Sequence, residues 1–216
     1  LGQGKNVGLE VEVDQESIRG TVNYTNPNYD MLGNSLNYFL SSTTNDKPDQ
    51  GFENKLITFG IGTSFEQYKD IYTNLSLNFS YDDLRTNSNA SASLQKQDGD
   101  FTELAAVYGL TYDKRNRTFM PTDGSIIKFT QELPIYADKP FVSNSLSSSI
   151  YESLGEDIIG ATKLYISSIN SIGEEDVRLS KRKYLSERRL RGFKRGKVGP
   201  VDGDDHILSL IHISEP

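Results

Sequence analysis

Ile71-Tyr72-Thr73-Asn74-Leu75-Ser76-Leu77-Asn78-Phe79-Ser80-Tyr81-Asp82 alternates from end to end. Ile71, Thr73, Leu75, Leu77, Phe79 and Tyr81 make a largely apolar face, and Tyr72, Asn74, Ser76, Asn78, Ser80 and Asp82 a polar one. A side-chain period of two marks a β-strand with unlike faces. The same pattern fills Lys55 to Phe65, where Ile57, Phe59, Ile61 and Phe65 oppose Thr58, Gly60, Gly62 and Ser64. Leu104, Ala106, Tyr108, Leu110 and Tyr112 line a third strand, and Val7, Leu9, Val11 and Val13 a fourth, facing Gly8, Glu10 and Glu12. Weaker alternation surrounds Ile18 to Tyr24, Leu36 to Leu40, Ile127 to Leu133, Leu146 to Ile150, and Leu164 to Asn170. The expectation is nine strands, no amphipathic helix and an all-β fold.

The connections are turn-rich. Asn26-Pro27-Asn28, Pro121-Thr122-Asp123-Gly124 and Gly155-Glu156-Asp157 read as tight turns, because Asn, Asp, Gly and Pro supply preset or positive φ. Longer polar loops are expected at Ser41 to Gly51 and Asp82 to Asp100, with a short one near Tyr136 to Pro140. Long and short connections would then alternate, as on the two rims of an up-and-down barrel. Strands of about ten residues, tilted about 40°, cover roughly 25 Å, the height of an outer-membrane apolar band. Periodicity alone leaves open whether the apolar face meets lipid or the core of a soluble domain. If it meets lipid, an odd count of nine leaves two edges that cannot stay unpaired in hydrocarbon, and strands must lie outside this chain.

Composition narrows the chemistry. The 216 residues include no cysteine, which excludes a disulfide scaffold, a thiolate metal site and a thiol nucleophile. No stretch approaches the 18 or more apolar residues of a transmembrane helix, and neither a charged leader nor an apolar signal region follows Leu1. Charge is unevenly placed. From Arg178 to Lys197 there are ten basic residues and one acid, Glu187, a net +9, whereas the rest carries −16. Such a basic segment in an acidic body fits a nucleic-acid patch or a segment that docks on its own acidic scaffold.

Enzyme signals are poor. The two histidines, His206 and His212, lie near the end, and there is no Gly-x-Ser-x-Gly elbow. Gly196-Lys197-Val198-Gly199 lacks phosphate-loop spacing, and Gly60-Ile61-Gly62 sits within a strand, where glycine marks curvature or close packing. Asp202, Asp204 and Asp205 lack the spacing of an EF-hand. No catalytic residue, metal site or cofactor is expected. The run from Arg188 to Pro200 is a dense positive loop, but with Phe193 as its one aromatic and Tyr184 just before it, it lacks the stacking platform of a nucleic-acid grip.

These residues also resemble a known family. Leu190-Arg191-Gly192-Phe193, Val198-Gly199-Pro200 and Asp202-Gly203-Asp204-Asp205 look like the sixth extracellular loop of the BamA-like outer-membrane protein assembly factors. Tyr112-Asp113-Lys114-Arg115-Asn116-Arg117, with Phe119-Met120-Pro121-Thr122-Asp123-Gly124-Ser125, resembles that family's strand-turn-strand signature on the periplasmic rim. Tyr24 to Tyr29 resembles another periplasmic turn. The resemblance spans most of residues 4 to 206.

What the resemblance implies is an incomplete transmembrane β-barrel in a bacterial outer membrane, about nine of sixteen strands plus the inward-folding sixth loop. Leu190, Arg191, Gly192, Phe193, Val198, Gly199 and Pro200 would form the lumen-docking motif, with Arg191 meeting an acid beyond the end of this chain. Asp113, Arg115, Asn116, Pro121, Asp123 and Gly124 would form the periplasmic turn. The family's POTRA domains and lateral gate are missing from this stretch. Residues 1–206 would be barrel, and 207–216, which depart from the family pattern, a non-native or read-through tail. The implied function is assembly of β-barrel client proteins without enzymatic chemistry, with outer-membrane lipids, unfolded clients and accessory lipoproteins as partners and no nucleic acid. The alternatives are a translocation pore of the two-partner secretion or TamA type, and a soluble β-domain whose basic loop binds a polyanion.

Overall fold

The computed structural model describes residues 4–14, 16–48, 51–155, 158–173 and 177–182. Nine strands form one antiparallel sheet in sequence order: β1 (Asn6–Val13), β2 (Ser17–Asn26), β3 (Ser35–Lys47), β4 (Phe52–Tyr68), β5 (Ile71–Thr86), β6 (Gly99–Asp113), β7 (Gly124–Ala137), β8 (Phe141–Ser153) and β9 (Ile159–Ser171). Each of the nine alternating stretches is a strand. β1 and β9 do not pair with each other, so the sheet is open, as an incomplete up-and-down barrel is.

Burial decides what the apolar face meets. On β5, Leu75, Leu77 and Phe79 are 43–48% exposed, whereas Ser80, Asp82 and Leu84 behind them are at most 4% exposed. Val7, Leu9, Val11, Val13, Phe59, Leu164 and Ile166 also face outward and are exposed. A soluble domain would reverse this, because burying apolar surface is its main source of stability. The wall is apolar outside and polar inside, the inverse of a soluble core, and the soluble-domain alternative falls with it.

The expected alternation of long and short connections does not hold. One rim, here the first, carries the connections at 27–34, 69–70, 114–123 and 154–158; the second carries 14–16, 48–51, 87–98 and 138–140, so each rim mixes long and short. The tight turns expected at Asn26 to Asn28 and Pro121 to Gly124 belong to the long first-rim connections 27–34 and 114–123. The polar loops expected at Ser41 to Gly51 and Asp82 to Asp100 shrink because strands run into them: β3 reaches Lys47, β5 reaches Thr86 and β6 starts at Gly99. Polar residues conceal a strand when both faces leave the lipid. Here Lys55 pairs with Asp83 and Glu53 with Arg85 on the outward face, where Arg85 Nε also meets Asp83 at 2.7 Å.

β4 and β5 have 17 and 16 residues rather than ten. At roughly 2.5 Å of height per tilted residue they overshoot the apolar band by more than 10 Å. The overhang stands on the second rim and is capped by residues 87–98, which contain a one-turn helix, α1 (Ala92–Gln95). Ser91 caps that turn, and Leu94 packs with Phe52, Leu84 and Ala90 in a small apolar cluster inside the mouth of the sheet.

Gly60 marks close packing, as expected for a glycine within a strand. The Phe39 ring lies across it, and a Cβ at Gly60 would fall 2.1 Å from Phe39 Cε1. The inward face of β3 and β4 can therefore hold an aromatic ring flat against the wall.

Candidate functional site: a basic segment docked on an acidic inner wall

After β9 the chain returns across the second rim, and residues 177–182 fold against the inside of the sheet. Alternation places Ser80 and Asp82 of β5, Glu103 of β6 and Glu132 of β7 on the inner face; Ser80 pairs directly with Glu103 across the strands. Four polar side chains on three neighbouring strands make an acidic patch. Its charges require compensation, since burying an unpaired carboxylate costs several kcal/mol.

The 3-10 turn Leu179–Lys181 supplies it. Arg178 Nη2 sits 3.0 Å from Asp82 Oδ2, with only 8% and 5% of the two side chains exposed. The guanidinium carbon lies over Phe101, 3.5 Å from the ring centroid, adding a cation–π contact that a lysine would make less well. Asp82 also accepts hydrogen bonds from Asn54 Nδ2 and Ser180 Oγ, so both of its carboxylate oxygens are engaged. Lys181 Nζ lies 2.6 Å from Glu103 Oε2 and 3.4 Å from Glu132 Oε1, and 5.2 Å from the Phe141 ring centroid. One turn of chain thus joins three strands.

Electrostatics keep the lysine charged. Burial pulls the Lys181 ammonium down, Glu132 and Glu103 pull it up, and the carboxylates prevail, so it lies above its ordinary value. For Arg178 burial is the larger influence and draws the guanidinium down from its ordinary value, against the attraction of Asp82, Glu103 and Asp138. Arginine starts so high that it remains a cation.

Apolar and backbone contacts fix the turn's direction. Leu179 packs on the Phe52, Leu84, Ala90 and Leu94 cluster, and its N–H donates to Gln97 Oε1 at 3.0 Å. Val177 joins Phe141 and Ile169 in a second cluster, and Arg182 Nε donates to the Val177 carbonyl at 3.0 Å. The space left among Ser80, Phe101, Glu103, Arg178 and Lys181 is about 20 Å³, far below the few hundred Å³ of a small-molecule site. The arrangement is an anchor. Among the described residues no group of three or more His, Cys, Asp or Glu side chains gathers to hold a metal ion.

The turn motif is built on the first rim. Arg115 donates to both carboxylate oxygens of Asp113, at 2.8 and 2.6 Å, and Asp113 pushes the guanidinium above its ordinary value. Asn116 closes the connection: its Nδ2 donates to Thr122 Oγ1 at 2.7 Å, and its Oδ1 accepts from the N–H groups of Thr122 and Asp123 at 3.2 and 3.4 Å. The Asn116 N–H donates to the Asp123 carbonyl at 3.1 Å. Gly124 has φ +94°, and a Cβ there would fall 2.1 Å from the Lys114 carbonyl oxygen, so only glycine fits. Pro121 follows Met120, a non-glycine residue at φ +48°. The structure thus brings Asp113, Arg115, Asn116, Asp123 and Gly124 into one turn. Leu190, Arg191, Gly192, Phe193, Val198, Gly199 and Pro200 lie outside the described residues, as do 207–216.

Comparison with known proteins agrees with this geometry. The Omp85 superfamily domain matches residues 1–209. The chain belongs to the Omp85 superfamily. The crystal structure of BamA from Haemophilus ducreyi lacking POTRA domains 1–3 superposes with a TM-score of 0.79 at 22% identity, over 93% of this chain and 42% of that one. A sorting and assembly machinery component 50 homolog of Xenopus tropicalis is 25% identical over 121 residues, 55% of this chain and 26% of the relative. The SAM50-like protein of Schizosaccharomyces pombe is 26% identical over 170 residues, 74% of this chain and 36% of the relative. The chain therefore spans about a quarter to a third of the curated relatives it matches.

For an Omp85 barrel piece, the outward apolar band is the lipid face and the location is an outer membrane. The acid expected beyond the chain's end concerned Arg191. Arg178 and Lys181, at the start of the same basic segment, have their acids within this chain. Sequence reasoning missed the pair because Asp82 ends one alternating run and Arg178 opens a distant polar one. The signal available was the charge split itself.

Proposed function

We propose that this chain is the central part of the barrel of an outer-membrane β-barrel assembly factor in a bacterial outer membrane. The observation that carries the reading is the return of the basic segment onto the inner acidic wall, on a sheet whose outer face is apolar. In this reading the segment after Lys181 continues into the lumen, with Arg191 as a further contact. The barrel then offers its client a membrane-embedded template. An incoming strand in hydrocarbon leaves backbone groups unsatisfied at several kcal/mol each, and pairing with an existing edge offsets that cost. The work is non-covalent, and neither enzyme chemistry nor a cofactor enters it.

Likeness of fold to BamA over 93% of the chain supports the barrel architecture this reading requires. The sorting and assembly machinery relatives favour assembly over a translocation pore. Unfolded barrel clients and accessory lipoproteins are the partners this reading requires.

The test is complementation by the full-length protein in cells depleted of their own copy, read by heat-modifiable migration of client barrels. Arg178→Asp is expected to slow client assembly, and adding Asp82→Arg to recover part of it. Arg191→Ala is expected to impair assembly or barrel stability. Full client assembly by Arg178→Asp and Arg191→Ala alike would remove the luminal anchor from the mechanism.

A further inference from the structure

The 87–98 connection of the second rim and the turns of the first rim treat their apolar residues in opposite ways. On the second rim, residues 87–98 fold Ala90 and Leu94 inward, where they are buried. On the first rim, three turns hold large apolar side chains outward: Met31 and Leu32 are 105% and 86% exposed, Phe119 and Met120 81% and 67%, and Leu154 and Ile158 65% and 63%.

These tips stand on rigid supports. The Asp30 carboxylate accepts from the N–H groups of Leu32 and Asn34, both at 3.0 Å, and from Asn34 Nδ2 at 2.6 Å, which locks the turn that carries Met31 and Leu32. The Asp113–Arg115 fork and the Asn116 closure do the same for Phe119 and Met120, and Arg115 Nη1 also holds the Thr118 carbonyl at 3.3 Å. Met120 is kept at positive φ, a conformation that persists only where its surroundings over-determine it. A chain with no use for exposed apolar tips gains nothing by fixing them there.

Continuity and charge identify what meets them. The outward apolar face runs through Ile71, Tyr112 and Ile127, which are mutual register partners within a few residues of the turn. The band that faces hydrocarbon thus ends at the base of residues 114–123, and the tip beyond it stands at headgroup height. Residues 114–123 carry Lys114, Arg115 and Arg117 against one acid, Asp123. Arg115 is engaged by Asp113. Lys114 and Arg117 flank the apolar tip as exposed cations. Apolar side chains beside cations, at the edge of a lipid-facing wall, match the chemistry of an anionic membrane interface.

We propose that the first rim is an interfacial anchor, in which Phe119 and Met120 enter the headgroup–acyl boundary of the adjoining leaflet and Lys114 and Arg117 contact lipid phosphates. Met31 and Leu32, on the 27–34 turn two places along the same rim, make a second apolar foothold. The proposal rests on the membrane position of the strands and is independent of client assembly, so its failure leaves the proposed function standing.

The described chain has no cysteine to compete with a label. The experiment places an environment-sensitive dye on Phe119→Cys in the full-length protein, its other cysteines replaced, reconstituted in phosphatidylcholine vesicles with or without phosphatidylglycerol. The dye is expected to be quenched by doxyl-labelled lipid and shielded from iodide, with shielding deepened by phosphatidylglycerol and lost in Lys114→Glu/Arg117→Glu. Leu32→Cys, on the 27–34 turn of the same rim, gives the doxyl-lipid and iodide readout should Phe119→Cys not fold. Free access of iodide would overturn the proposal, because the tip would then lie in water. Shielding from both quenchers would overturn it too, since the tip would then pack on protein. Indifference to phosphatidylglycerol and to charge reversal would overturn the phosphate contact.

Discussion

Removing the Asp82 carboxylate tests the anchor at its most buried point. Asp82→Ala leaves Arg178, whose side chain is 8% exposed, without the partner that lies at 3.0 Å, and deprives Asn54 and Ser180 of their acceptor. Breaking one side of a buried pair costs about 3–5 kcal/mol. Glu103 and Asp138 also attract the guanidinium, which places the loss at the lower end, about 3 kcal/mol. At 1.4 kcal/mol per decade, the ratio of docked to undocked segment should fall about a hundredfold. Trypsin reads this directly, because Lys181 and Arg182 are cleavage sites that the docked turn keeps folded. When opening is fast, cleavage follows the open population. In the full-length protein in detergent, Asp82→Ala should therefore raise cleavage after Lys181 and Arg182 by about a hundredfold. Asp82→Asn, which keeps an acceptor but loses the charge, should fall between. Strand content and heat-modifiable migration should hold, since the backbone ladders are untouched. An unchanged cleavage rate in Asp82→Ala would refute the claim that this ion pair holds the segment.

Leu94→Ala should empty the cluster under residues 87–98, where Leu94 is fully buried. The expected cost is about 2–5 kcal/mol, seen as faster trypsin cleavage in the 87–98 loop at Lys96 and, through Leu179, at Lys181. Gly124→Ala should strain the first-rim turn, since its Cβ meets the Lys114 carbonyl at φ +94°; heat-modifiable migration should weaken by about 1–3 kcal/mol of barrel stability. Hydrogen bonds from the Asn34 backbone and side chain and from the Leu32 N–H hold Asp30 below its ordinary value of 3.8. A depressed carboxylate contributes stability above its unfolded value and loses it as pH falls through the folded one, so the amide signals of Leu32 and Asn34 should shift together at a pH below 3.8; a titration at or above that value would show that the turn is not locked by Asp30.

Much of the fold was legible because lipid and lumen impose opposite demands on alternate residues. Ile71 to Asp82 carries that demand without interruption, and the weaker runs at Ile18 to Tyr24 and Leu146 to Ile150 carry enough of it. The pattern faded where the wall leaves the membrane. Ser41 to Lys47 and Asp82 to Thr86 are strand by hydrogen bonding, yet both faces of that stretch contain polar residues, since water or the lumen mouth lies on each side. Period two reports a difference between faces, and it vanishes when the difference does. The turn motif was legible for another reason. Asp113, Arg115, Asn116 and Gly124 meet within a dozen residues, so local spacing encodes their contacts. Arg178 and Asp82 lie 96 residues apart, and nothing short of strand order and register specifies their meeting.

Register is also what the inner charges protect. A strand shifted by one residue exchanges its two faces. For β5 that shift would carry Ser80 and Asp82 toward lipid and turn Leu75, Leu77 and Phe79 inward. Hydrophobic contact alone penalises the shift weakly near the rim, where the apolar band is already ending. The ion pairs penalise it strongly, because Asp82 would lose Arg178, Asn54 and Ser180 together. Lys181 extends the constraint by engaging Glu103 on β6 and Glu132 on β7 at once. An apolar plug of equal volume would fill the same mouth, yet it would tolerate a sliding wall. Fixed charges on three adjacent strands accept one register, and they make the position of the returning segment depend on it.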